Sequence, residues 1–280
     1  MKRILVPTDF SPTAEKAFRF AVNIAAKTGG TIILYHVYTP LQSTFIDTEL
    51  KREIQNKQTE LILLKRMQRI KKKVTAGITG ITVSTVLGRT PVITNILGFA
   101  EQNQVDLLVM GTQGASGLKK TIIGSVASRI IENADIPVLL VPEKYEWNEP
   151  GQIVYATKYL EADRRALTVL LPFAKLYDAE TTVIHLYDVY IADEAKVKND
   201  FDTYAYTIQR EFSEFRLAFK LLKTASVTGT MEKLYEQIDY DLVAMVRRKK
   251  TITERYFFES FTKNMAYVTN RLLFVIPEQD

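Results

Sequence analysis

The sequence predicts an α/β protein built as two tandem, doubly wound parallel sheets of five strands each. Three observations carry this. The 280 residues leave room for two domains of about 140. The chain repeats itself. Within each copy, short β-branched apolar runs alternate with helical patterns, the signature of parallel strands joined by crossover helices.

The repeat is legible in four segments. Ile4-Leu5-Val6-Pro7-Thr8-Asp9 matches Ile153-Val154-Tyr155-Ala156-Thr157-Lys158 at an offset of 149, and His36-Val37-Tyr38 matches His185-Leu186-Tyr187 at the same offset. Asp106 to Met110 matches Asp241 to Met245, and Val138 to Pro142 matches Leu273 to Pro277, now at an offset of 135. The second copy is therefore 14 residues shorter in its middle. Residues 143–151, a stretch with Glu, Asn, Pro and Gly and no apolar periodicity, read as a linker between domains at 1–143 and 151–280.

In the first copy, apolar runs at about 3–7, 31–37, 81–86, 105–110 and 137–141 read as buried parallel strands. Helical patterns fill about 12–28, 44–73, 91–103 and 122–133 between them. Thr90 as N-cap followed by Pro91 at the first helical position is a good helix start. In such sheets ligands sit beyond the C-terminal strand ends, so Asp9, His36, Val37 and Gly111 should converge.

The informative segment runs from Met110 to Val126, with glycines spaced Gly-x2-Gly-x9-Gly-Ser at Gly111, Gly114, Gly124 and Ser125. It follows a strand and leads into a helix. Glycine lets a backbone approach a ligand closely, and N–H groups at a helix N-terminus attract anions, so the segment reads as a phosphate-binding loop. Each residue also has a plainer reading: Asp9 as a turn or cap before Ser11-Pro12, the glycines as tight turns, Ser125 as a helix-start residue. His36 and His185 read as strand-end packing residues, because one histidine per copy with no partner makes no metal site.

These residues resemble those of the universal stress protein family, over nearly all of 1–142 and more weakly over 151–277. The resemblance implies a Rossmann-like fold of the adenine-nucleotide α-hydrolase type. It implies ATP, or AMP or ADP, as the ligand, with Mg²⁺ near Asp9 through the nucleotide rather than at a protein metal site. It implies base contacts at Val37, and ribose and phosphate contacts at Gly111, Gly114, Gly124 and Ser125, with Pro7, Thr8, Met110 and Val126 lining the pocket and Ser116 and Lys119 reaching for phosphate. It also implies that the last strands join the copies into an intramolecular pseudo-dimer, with a further homodimer open as an extension, and that an unidentified protein partner reads the nucleotide state.

The second copy departs from this pattern. Lys158 stands where Asp9 stands, Val246 for Gly111, Lys249 for Gly114 and Glu259 for Gly124, while Ser260 keeps the type of Ser125. ATP is not expected there by the same mode. Arg247, Arg248, Lys249 and Lys250 read as a solvated loop. The copy holds 11 of the 14 tyrosines and 9 of the 14 phenylalanines, which predicts a bulkier core.

Composition narrows the function classes. The lack of cysteine excludes disulfides, thiol nucleophiles and thiolate metal sites, and two histidines leave little for zinc or for histidine-based acid/base chemistry. Apolar runs are too short for a membrane span, and Ile4-Leu5-Val6 is too short for a signal-peptide core, so a cytoplasmic location without a membrane partner is expected. The first 148 residues carry 19 basic against 12 acidic side chains, which suits a polyanionic ligand and would also suit nucleic acid, so sign alone does not choose between them; nucleic acid is not the expected partner. Much of the excess lies in Lys65, Arg66, Arg69, Lys71, Lys72 and Lys73, at the end of a long helix where cations are stabilising. No base is placed to orient a water, so slow ATP hydrolysis is the most turnover expected. The expected role is a nucleotide-dependent sensor or regulator of a stress response. The alternatives are a scaffold or adaptor without nucleotide, a polyanion-binding protein, or an enzyme of a related adenine-nucleotide fold. The last needs a Ser/Gly-rich loop after the first strand, or His-x-Gly-His with a Lys-Met-Ser-Lys loop; neither is present, and after the first strand this chain has Pro7-Thr8-Asp9-Phe10-Ser11.

Overall fold

Ile4, Leu5 and Val6 of the first strand are all fully buried, as a strand covered by helices on both faces requires. The computed structural model describes residues 1–42, 48–112, 123–159, 161–188, 190, 193–224, 238–248 and 271–278, and divides into two compact units, Met1–Glu143 and Lys144–Asp280.

In the first unit the order is β1 (Arg3–Pro7), α1 (Pro12–Thr28), β2 (Thr31–Tyr38), α2 (Glu49–Val74), β3 (Thr82–Arg89), α3 (Val92–Gln102), β4 (Leu107–Gly111), α4 (Ser125–Asn133) and β5 (Val138–Val141). The strands lie in the order β3-β2-β1-β4-β5, all parallel. The order turns back at β1 and β4, the switch point where such sheets bind ligands. Helix α1 illustrates how the sequence sets its own limits. Ser11 caps it by accepting from the Ala14 N–H at 3.1 Å, Pro12 opens it, and Gly29 ends it with φ 65° while the Gly30 N–H bonds to the Ala25 carbonyl.

The second unit contains β6 (Gln152–Ala156), α5 (Glu161–Lys175), β7 (Glu180–Asp188), α6 (Glu194–Glu211), β8 (Leu217–Thr224), β9 (Leu242–Arg247) and β10 (Leu272–Pro277). Its described strands run in parallel in the order β8-β7-β6-β9-β10. The internal repeat holds at the level of single hydrogen bonds. Asp106 accepts from the Lys2 and Arg3 N–H groups at 2.7 and 2.8 Å, and Asp241 accepts from the Gly151 and Gln152 N–H groups at 2.8 and 2.9 Å. Each carboxylate pins the start of a first strand to the start of the fourth. The aromatic surplus of the second copy goes largely inward: Tyr155, Tyr240, Phe173 and Phe274 are among the largest fully buried side chains.

Two helix starts differ from expectation. Helix α3 begins at Val92 with Pro91 in the capping position, because the first helical bond runs from the Asn95 N–H to the Pro91 carbonyl while the Thr90 N–H goes back to Tyr38. The Thr90–Pro91 peptide is cis. Helix α4 begins at Ser125 rather than 122, with Gly124 as its cap.

Candidate functional site

At the end of β1 the chain makes a tight turn. The Phe10 N–H bonds to Thr8 Oγ1 at 3.1 Å and the Ser11 N–H to Asp9 Oδ1 at 3.0 Å, which holds Phe10 at φ 65°. A bulky side chain rarely takes that conformation without such support. The Phe10 ring rests on His36, with centroids 4.3 Å apart, and the Arg66 guanidinium of α2 lies over the same ring, 4.2 Å from its centroid. His36 Nδ1 lies 2.7 Å from the Thr8 carbonyl oxygen, so it carries the proton and donates. Burial lowers the His36 pKa below its ordinary value and keeps the ring neutral.

Beside this turn, at the C-terminal ends of β1, β2 and β4, lies a cavity of about 340 Å³. It is large enough for a small-molecule ligand. Pro7, Thr8 and Asp9 line it from the β1 turn, Val37 from β2, Met110 and Gly111 from β4, and Gly124, Ser125 and Val126 from the start of α4. Nine of the twelve residues singled out in the sequence thus border one space. The other three, Gly114, Ser116 and Lys119, lie outside the described residues.

The start of α4 faces this space with backbone donors. The Gly124 N–H is bonded to the Thr112 carbonyl at 2.6 Å, and the helical ladder begins only with the Ser128 N–H on Gly124. The N–H groups of Ser125, Val126 and Ala127 therefore have no acceptor within the helix. Gly111 has a packing role as well. A Cβ there would meet Thr13 Cγ2 at 2.6 Å and the Thr13 backbone carbon at 3.1 Å, so the missing side chain lets β4 end against the first turn of α1.

Sequence reasoning did not single out Tyr35, Ala14, Val92, Ile96, Thr112 and Ala127, which also line the cavity. Tyr35 shares the face of β2 with Val37, so a period of two could have found it. Val92 and Ile96 stand at helical spacing on α3. His36, read as a packing residue, packs on Phe10 and also borders the cavity.

The family model for universal stress proteins matches residues 1–142. The chain belongs to the universal stress protein family. Among its relatives, universal stress protein MJ0531 of Methanocaldococcus jannaschii is 34% identical over 141 residues, covering 50% of this chain and 81% of that protein. Universal stress protein MJ0577 of the same organism is 31% identical over 158 residues, covering 51% and 96%. Over the whole length, the crystal structure of a universal stress protein from Archaeoglobus fulgidus superposes with a TM-score of 0.71 at 18% identity, covering 99% of this chain and 97% of that one. At that identity the match establishes the shared fold. This universal stress protein is thus a tandem of two such α/β domains.

In the second unit of this universal stress protein the same strand-end turn is built again, with different residues around it. The His185 Nδ1 lies 3.0 Å from the Thr157 carbonyl, Tyr159 takes φ 61° and packs 4.0 Å from His185, and the Tyr159 N–H bonds to Thr157 Oγ1 at 3.0 Å. Position 163, equivalent to the cavity-lining Ala14 at the offset of 149, carries a fully buried aspartate. Asp163 accepts from Arg248 at 2.9 Å, from the Tyr155 hydroxyl at 3.0 Å and from the Lys158 N–H at 3.1 Å. Arg247 and Arg248 are therefore not part of a solvated loop: Arg247 is buried, and only 10% of the Arg248 side chain is exposed. The positions of Lys249, Glu259 and Ser260 lie outside the described residues.

Proposed function

We propose that the first unit binds an adenine nucleotide, ATP or its AMP or ADP relatives, and that occupancy makes the protein a nucleotide-dependent sensor or regulator in a stress response. The observation that supports this most is the cavity itself. A single space at the strand switch point combines apolar walls from Val37, Val92, Ile96 and Met110 with a carboxylate at Asp9 and the backbone donors of α4. Apolar walls suit a flat base, while N–H groups and a helix dipole at one rim suit phosphate. The exposed Asp9 carboxylate is a hard oxygen donor and fits Mg²⁺ carried by the nucleotide.

In this account Val37 offers its backbone to the base. Gly111, Gly114, Gly124 and Ser125 take ribose and phosphates, and Ser116 and Lys119 extend the phosphate contacts. Hydrolysis, where it occurs, is slow in this reading, because phosphoryl transfer depends on a residue positioned to orient the attacking water. The Asp163–Arg248 pair supports restricting the role to the first unit.

The test is ligand-induced stabilisation, since a ligand that binds only the folded state raises the melting temperature as its concentration exceeds Kd. ATP with Mg²⁺ should raise Tm in the native protein. It should not do so in Gly114→Lys, which imports the residue of the second copy. An equal rise in both proteins contradicts the site.

A further inference from the structure

Tyr35 is 3% exposed, borders the cavity, and its hydroxyl makes no hydrogen bond among the described residues. Its ring is fixed: it stacks on Phe99 of α3 with centroids 4.5 Å apart and planes at 27°. Its outer end lies over Gly88 of β3, where an added Cβ would stand 2.1 Å from the hydroxyl oxygen and 2.7 Å from Cζ. Gly88 pairs with Val37, two residues past the partner of Tyr35, so the phenol leans toward the C-terminal edge of the sheet, where the cavity is.

A tyrosine hydroxyl normally finds a hydrogen-bond partner. That of Tyr35 is not among the fully buried side-chain atoms left without one, so on this nearly buried residue the oxygen keeps some contact with solvent. Val37, Val92 and Ile96 give the same cavity an apolar wall. Burial raises the Tyr35 pKa, so the proton stays on the oxygen at neutral pH. A rigid, protonated phenol on the wall of a cavity, with no partner among the described residues, is a donor held ready for a ligand.

We propose that Tyr35 determines base recognition in the first unit, donating its hydroxyl proton to an acceptor nitrogen in the ring of a bound adenine, with Gly88 providing the space that keeps the phenol in place. This rests on the nucleotide reading above. Backbone contacts at Val37 can hold the edge of many flat heterocycles, whereas a hydroxyl at a fixed point selects for an acceptor at that point.

Tyr35→Phe tests it, since the variant keeps the ring stack and removes only the oxygen. Calorimetric titration with Mg-ATP should show affinity lowered about tenfold, the scale of one net hydrogen bond. Thermal stability without ligand should be nearly unchanged, because the ring stack is kept and the hydroxyl bonds to no described residue. The three deaza-ATP analogues, lacking N1, N3 or N7, supply the second readout. One of them should bind the native protein and Tyr35→Phe equally. Equal ATP affinity in the two proteins, or a tenfold difference preserved with all three analogues, overturns the assignment while leaving nucleotide binding intact. Absence of ATP binding in the native protein overturns the nucleotide reading and this inference with it.

Discussion

Asp163 offers a sharp perturbation of the second unit. Its side chain is 1% exposed and that of Arg248 10%, at a separation of 2.9 Å, so both charges were taken out of water to form the pair. Replacing Asp163 with alanine leaves a buried guanidinium without its acidic partner. The Arg248 Nε already lacks a partner among the described residues, and the Tyr155 hydroxyl and Lys158 N–H lose their shared acceptor. Breaking a buried pair from one side costs about 3–5 kcal/mol, well above the cost of losing an exposed one. Replacing both partners, as Asp163→Leu with Arg248→Met, removes the uncompensated charge and should recover most of that loss. The assay is urea unfolding followed by the emission of Trp147, the only tryptophan of the chain and a residue of the second unit. A loss below about 1 kcal/mol in Asp163→Ala, the range of exposed pairs, would refute the claim that this pair is a buried strut. So would a double variant no more stable than the single one.

Gly88→Ala should destabilise the first unit by about 1–3 kcal/mol, as overpacking does, because its Cβ meets the Tyr35 phenol at 2.1 Å. Chemical denaturation checks this, and Tyr35→Leu in the same chain should relieve it. Phe274→Ala should cost about 3–5 kcal/mol, since the side chain is fully buried and packs 5.2 Å from Phe173, measured by the same unfolding experiment. His36 has a folded pKa lowered chiefly by burial, so the unfolded chain takes up the proton first. Its contribution to stability is complete above about pH 6.5 and falls as pH drops through that value toward the folded pKa. NMR titration should therefore place His36 below about 6.5, and unfolding free energy should decrease as the pH is lowered through that value.

The alternation of strands and helices was legible because each strand of a parallel sheet must be apolar on both faces, which leaves runs such as Leu107 to Met110. The repeat was legible because the same backbone contacts are required twice, at Thr8 and Thr157 and at Asp106 and Asp241. The neighbourhood of the cavity followed from the rule that ligands gather at strand ends. What escaped depends on long-range pairing. Gly111 reads from sequence as a residue of close ligand approach, and only the position of Thr13 reveals its packing role. Arg248 sits in a basic run that resembles a solvated loop, and its burial depends on an aspartate 85 residues away. Tyr35 looks like any buried aromatic in a strand until Gly88 and the cavity are both in place. Thr90 looks like a cap, but its N–H serves the end of β2 instead.

One adenine-nucleotide site per chain, in the first unit, is the proposal on which the rest depends. Calorimetric titration of the purified protein with Mg-ATP and, separately, Mg-GTP tests it most directly, because stoichiometry and base selectivity come from one experiment. One site per chain with a clear preference for ATP is the expected result. Two equivalent sites, no binding, or equal binding of both nucleotides that collapses as salt is raised would contradict it, the last pointing to a surface that attracts polyanions.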